Sequence, residues 1–252
     1  MSTSACCTKG FEWDGAPSGR TIPFPTASNQ AYITASAADA AVMLIPDLFG
    51  WDYPNIRLLA DHLAREAEVT VYVPDFFNGE SLPRDALERM AFAEIDLHGF
   101  VSRNSRAIRE PEILACARKL RAEYGRVGAI GYCYGGWVVF RLAAGEFAGM
   151  VDCVIAGHPS LLTKEDIDNA TACPIQIQAP EVDEAYTAEL KRHTFETLQK
   201  NGVLFDYQHF PGVEHSCLTR GSPKVPMERG AMERGKDAAV DWFRMWLKKG
   251  AE

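Results

Sequence analysis

A cysteine set among glycines, Gly131-Tyr132-Cys133-Tyr134-Gly135-Gly136, stands between an apolar run, Val127-Gly128-Ala129-Ile130, and a helix-like stretch from Trp137 to Ala144. This layout predicts a tight strand-to-helix turn with Cys133 at its apex. Strand and helix close on one another in such a turn, so the residues two before and two after the apex must lack bulk. Gly131 and Gly135 meet that demand. The turn lifts the sulfur clear of its neighbours, directs the Tyr134 amide at any oxygen bound beside it, and sets the positive end of a helix behind both. A thiol held this way is a candidate nucleophile toward a carbonyl carbon. The competing reading is a structural cysteine packed as a small hydrophobe beside a glycine-rich turn.

The flanking sequence supplies the strands and helices that such a turn needs. Residues 1–30, rich in Ser, Thr, Gly and Pro, read as an N-terminal arm, with a short strand near Ala31-Tyr32-Ile33. Ala41 to Ile45 and Val69 to Val73 are continuous apolar runs that stop at Pro46-Asp47 and Pro74-Asp75, as strands covered on both faces do. Between them, Ile56, Leu59, Ala60 and Leu63 recur at helical spacing behind Asn55, the expected N-cap. Helices are expected over Leu82 to Gly99 and Pro111 to Tyr124. Beyond the cysteine turn, strands are expected at 151–156, 174–179 and 203–210, and helices at 185–200 and 235–247. This alternation predicts a single α/β domain over residues 31–250, with a mainly parallel sheet and helices on both faces. Ligands bind such sheets at the carboxyl ends of the strands, where Asp47, Cys133, Asp183 and His215 fall.

Bulk properties narrow the partners. A net charge of -8 argues against a nucleic-acid backbone. No apolar stretch is long enough to span a membrane, and the first residues lack the pattern of a secretory signal, so a cytoplasmic protein is expected. The seven cysteines are odd in number and form no C-x-x-C pair, which suggests neither a disulfide framework nor a structural metal site. The adjacent Cys6 and Cys7 receive no role.

A nucleophilic thiol needs a base, and the base needs a group that fixes its tautomer. In hydrolases built around such a turn these follow in the order nucleophile, acid, histidine. His215, in Pro211-Gly212-Val213-Glu214-His215 after the last expected strand, is the candidate base. Of Glu181, Asp183 and Glu184, all just past a strand, Asp183 is preferred as the acid, with Glu181 the alternative. The oxyanion donors are expected to be the amides of Leu48 and Tyr134. Asp47 would lie beside the thiol, or else cap its own turn. Trp51, Phe76, Phe77 and Trp137 could line an apolar pocket or simply fill the core.

The chain resembles the dienelactone hydrolase (carboxymethylenebutenolidase-like) family. The resemblance rests on Gly131 to Gly136, on Pro46-Asp47-Leu48-Phe49-Gly50, on Pro74-Asp75-Phe76-Phe77-Asn78-Gly79, and on Gly212-Val213-Glu214-His215 with Arg220 beyond. It implies one α/β-hydrolase domain in which Cys133, Asp183 and His215 open a lactone or cleave a carboxylic ester through an acyl-enzyme, without metal or organic cofactor, as a monomer or homodimer. Family members commonly carry glutamate where Asp47 stands, pairing with the thiol, and use arginines to grip a substrate carboxylate; here Arg220 is the one found at such a position. Rival readings are a ligand-binding or thiol-sensing protein on the same scaffold, and an acyltransferase.

Overall fold

A computed structural model describes residues 10, 12–26, 29–35, 39–83, 86 and 94–248. Strands β1 (Arg20–Pro23) and β2 (Gln30–Thr34) come first, followed by β3 (Ala40–Ile45), helix α1 (Pro54–Ala67) and β4 (Thr70–Pro74). Helices α2 (Leu97–Arg103) and α3 (Arg106–Glu123) lead to β5 (Arg126–Tyr132), α4 (Gly135–Leu142) and β6 (Cys153–Gly157). The chain continues through α5 (Lys164–Asn169), β7 (Ile175–Val182), α6 (Ala188–Lys200), β8 (Phe205–Glu214), α7 (Cys217–Arg220) and α8 (Pro226–Leu247).

Eight strands form one sheet in the order β1-β2-β4-β3-β5-β6-β7-β8. The β1–β2 and β2–β4 pairs are antiparallel and the rest parallel. Every residue of β3, β4 and β6 is buried, which is why these strands read as unbroken apolar runs. One face of the sheet packs on α3, α4 and α6 through Leu120, Phe140 and Leu198. The other packs on α1 and α8 through Leu59, Leu63, Val240 and Phe243. Helices therefore cover both faces, as the alternation predicted.

Several boundaries differ from the expectation. Asn55 lies inside α1, whose N-cap is Tyr53 with Pro54 opening the helix. The arm contributes a strand of its own, β1. Half of the helix expected over Leu82 to Gly99 falls on 84–85 and 87–93, outside the described residues; a described helix there begins at Leu97. Helix α3 starts a turn before Pro111, and α8 starts at Pro226 rather than Gly235. Strand β8 continues past Pro211 and Gly212 to Glu214, re-pairing with Val182 after an irregularity in the ladder.

Candidate active site

Cys133 leaves β5 at φ +50°, a left-handed conformation that costs a non-glycine residue on the order of 1–3 kcal/mol. Neighbouring backbone holds it there. Its N–H donates to Gly157 O (3.1 Å), and its carbonyl accepts from the N–H groups of Gly136 (2.9 Å) and Ser160 (2.8 Å). A Cβ on Gly131 would lie 2.0 Å from Gly135 O, and one on Gly135 would lie 2.5 Å from Ile45 O. Both glycines are therefore required by close approach, as the spacing implied.

His215 follows β8 directly, its N–H donating to Val182 O at 2.9 Å. Its Nδ1 is 2.9 Å from each carboxylate oxygen of Asp183, and both side chains are fully enclosed. Asp183 Oδ1 also accepts the N–H groups of Ala185 (2.9 Å) and Tyr186 (2.8 Å). An acceptor so committed puts the proton on Nδ1 and leaves Nε2 as the basic nitrogen. Nε2 is buried with no nitrogen or oxygen partner. Burial pushes the His215 pKa down, but the negative charge of Cys133 and hydrogen bonds to Asp183 and Cys133 outweigh it, raising the value to about 10. Glu181, the alternative acid, is exposed and instead accepts the Gly212 N–H at 2.6 Å.

Leu48 and Tyr134 are both buried. Their amides donate to no protein acceptor among the described residues, so both remain available to an incoming oxygen. Asp47 makes three hydrogen bonds: Oδ1 accepts the Phe49 N–H (2.9 Å), while Oδ2 accepts from Thr219 Oγ1 (3.0 Å) and Arg220 Nε (2.8 Å). The carboxylate caps its own turn and pairs with a buried guanidinium at once. Of the aromatic side chains, Phe76 and Trp137 share Cys133's packing cluster. Trp51 packs on the opposite face of the sheet, beneath Arg57.

Two residues at the exit of β6 escaped sequence reasoning. Ser160 places Oγ 3.5 Å from Cys133 Sγ. The His158 ring is buried edge-on to His215, with centroids 4.9 Å apart, and neither of its nitrogens has a hydrogen-bond partner. Burial, then the charges of His215 and Arg220, push its pKa well down, which keeps the ring neutral. The available signal was position: both stand just past a strand on the ligand-bearing edge. Cys133 itself has no exposed surface. No cluster of three or more metal-ligating side chains occurs among the described residues.

The sequence profile of the Dienelactone hydrolase family matches residues 30–247, leaving the arm ahead of residue 30 outside the match. A human protein described as carboxymethylenebutenolidase homolog is 34% identical over 86% of this chain and 88% of its own length. Hydrolase pyvD of Aspergillus violaceofuscus is 30% identical and aligns with 99% of both chains, arm included. A crystal structure titled as a dienelactone hydrolase-like promiscuous phosphotriesterase from metagenomic libraries superposes with a TM-score of 0.67 at 16% identity, covering 92% of this chain and 99% of that one. At that identity the likeness is one of fold.

Proposed function

Because this chain belongs to the dienelactone hydrolase family, we propose that it hydrolyses a carboxylic ester or lactone through an acyl intermediate on Cys133. The observation that carries the reading is the enclosed His215 ring, tied to Asp183 at Nδ1 and with its pKa raised, against its burial, chiefly by the neighbouring Cys133. In this mechanism the sulfur attacks the carbonyl carbon, and the amides of Leu48 and Tyr134 hold the developing oxyanion. The carbon–oxygen bond to the alcohol then breaks, with the His215 Nε2 proton passing to the leaving oxygen. A thioester remains. Nε2, now bare, takes a proton from water as the water attacks, and the thiolate departs to release the acid. Asp183 keeps the ring in one tautomer throughout. With a lactone the alcohol stays tethered, and the product is a hydroxy acid.

The test uses a panel of aryl esters and lactones with the full-length protein. A product burst matched to the number of active sites, together with an acyl adduct on the Cys133 peptide by mass spectrometry, is the expected result. Cys133→Ala should abolish both. Turnover that survives this change, or an adduct on another residue, overturns the proposal. A thiol sensor on this scaffold would give neither burst nor turnover.

A further inference from the structure

The chain leaving β6 runs alongside the nucleophile turn and is bound to it. Strands β5 and β6 stay in register as far as Tyr132 and Gly157, so His158, Pro159 and Ser160 pass directly beside Cys133. The Ser160 N–H donates to Cys133 O at 2.8 Å, and Ser160 Oγ stands 3.5 Å from Cys133 Sγ. The segment has little room to shift. Pro159 presses on the first turn of α4, so that a Cβ at Gly136 would lie 2.3 Å from Pro159 Cβ, and the His158 N–H donates to Gln178 O at 2.9 Å. On the far side, Leu161 O accepts from Arg106 Nη1 at 3.2 Å, and the same guanidinium pairs with Asp166, which closes a capping box with Thr163. His158 at φ +34° and Leu161 at φ +57° are left-handed on either side of Ser160, and Cys133 is a third such residue. Each costs on the order of 1–3 kcal/mol. Strain gathered around one contact between oxygen and sulfur points to a backbone shaped for chemistry there.

Ser160 is buried, and its hydroxyl has the sulfur as its hydrogen-bond partner among the described residues. The worth of that bond changes along the reaction. A thiolate is a charged acceptor, whereas the sulfur of a thioester is a weak neutral one. The bond is therefore weak in the acyl-enzyme and strengthens as the carbon–sulfur bond breaks. In that step water has added to the thioester carbon and given its proton to His215 Nε2; the carbon–sulfur electron pair passes to sulfur, which accepts the Ser160 O–H as negative charge collects there. The carbonyl re-forms, and the acid is released. Acylation runs the other way. A sulfur held by a donor must loosen that bond in order to attack, so the hydroxyl makes it a better leaving group and a poorer nucleophile, since both properties follow the basicity of the thiol. One hydroxyl thus acts on the two half-reactions with opposite sign, which a purely structural residue does not do.

We propose that Ser160 is a further catalytic residue, its hydroxyl donating to the Cys133 sulfur as the acyl-enzyme breaks down. This rests on the acyl-Cys133 reading, and the experiment separates the two. Full-length wild type and Ser160→Ala are each mixed with an activated aryl ester, and stopped-flow release of the phenol gives the acylation rate constant. After rapid desalting, acid-quenched and digested samples show by mass spectrometry how fast the Cys133 peptide loses its acyl group, which gives the deacylation rate constant. Alanine keeps the main-chain bond to Cys133 O, so the turn stays in place. The variant should deacylate about tenfold more slowly, the part of a charge-assisted hydrogen bond that is expressed in the transition state. It should acylate at the wild-type rate or up to about fivefold faster. Acylation slowed by as much as deacylation, or deacylation within about twofold of wild type, overturns this inference alone. Absence of any acyl adduct on Cys133 in the wild type overturns the nucleophile reading and this inference with it.

Discussion

Asp183→Asn tests the imidazole clamp, and the hydrogen bonds around Asp183 fix what should happen. Its Oδ1 accepts the Ala185 and Tyr186 amides, and both oxygens stand 2.9 Å from His215 Nδ1. Asparagine has one oxygen to offer. Two backbone donors compete for it against one imidazole, so the oxygen stays with the amides and the side-chain NH2 turns to the ring. A donor facing Nδ1 forces that nitrogen bare and leaves the ring a single proton on Nε2, so the imidazole can no longer be held doubly protonated beside the sulfur. The variant also loses the hydrogen-bond and charge contributions by which Asp183 raises the His215 pKa. A charge-assisted hydrogen bond is worth about 1.5–3 kcal/mol. With the wrong tautomer added, kcat should fall roughly a thousand- to ten-thousandfold, on the order of 4–5 kcal/mol. Folding stability should fall by less than about 2 kcal/mol, because the two amides keep their acceptor. Single-turnover acylation with an aryl ester and urea melts of the same preparations supply both numbers. An acylation rate within tenfold of wild type, from a folded variant, would refute the clamp.

Two further outcomes are expected from the same geometry. Cys133→Ala removes the strongest influence holding His215 above its ordinary value of 6.5, so the midpoint should drop from about 10; NMR of carbon-labelled histidine reads it, and an unmoved midpoint contradicts the coupling. A raised histidine stabilises the fold fully below its unfolded value and loses that benefit as pH climbs through the folded one, so urea melts of this variant should be flatter than wild type as pH approaches 10. Gly131→Ala would push a Cβ to 2.0 Å from Gly135 O. Neither backbone can retreat without opening the turn, so the loss should be about 3 kcal/mol or more; a urea-melt difference below about 1 kcal/mol would show the turn to be loosely packed.

The fold was legible wherever burial on both faces writes itself into composition. Strands β3, β4 and β5 are nearly continuous runs of enclosed apolar residues. The helix starts were not, and the reason is what their first turns do. The opening of α3 is held by polar contacts, Arg106 to Asp166 and Arg109 to Asn104, so apolar periodicity begins only at Ile113. In α8, Met227 is exposed and Ala231 is the first buried residue. Pro211 and Gly212 looked like the end of β8, yet that strand forms the sheet edge, where a missing N–H costs the ladder nothing on its open side.

At the site, local chemistry and long-range contact divide the residues. Cys133 announced itself because the turn demands glycines at fixed offsets. His215 and the acidic cluster at 181–184 followed from their place after β8 and β7. Choosing Asp183 over Glu181 turned on which of two carboxylates, two residues apart, faces inward as β7 ends, and that depends on its pairing with β8. Asp47 is the sharper case. Its spacing allowed a turn cap or a partner for the thiol, and the cap is present; its second oxygen is taken by Arg220, a residue 173 positions away. No local pattern encodes that pairing. It exists because β3 carries Asp47 to the same sheet edge at which the chain leaving β8 folds back as α7, beneath the arm. The same adjacency sets His158, leaving β6, against His215, leaving β8. The candidate groups Cys133, Asp183 and His215 are thus legible from their turns, whereas the Asp47–Arg220 pair is specified by the order of strands in the sheet.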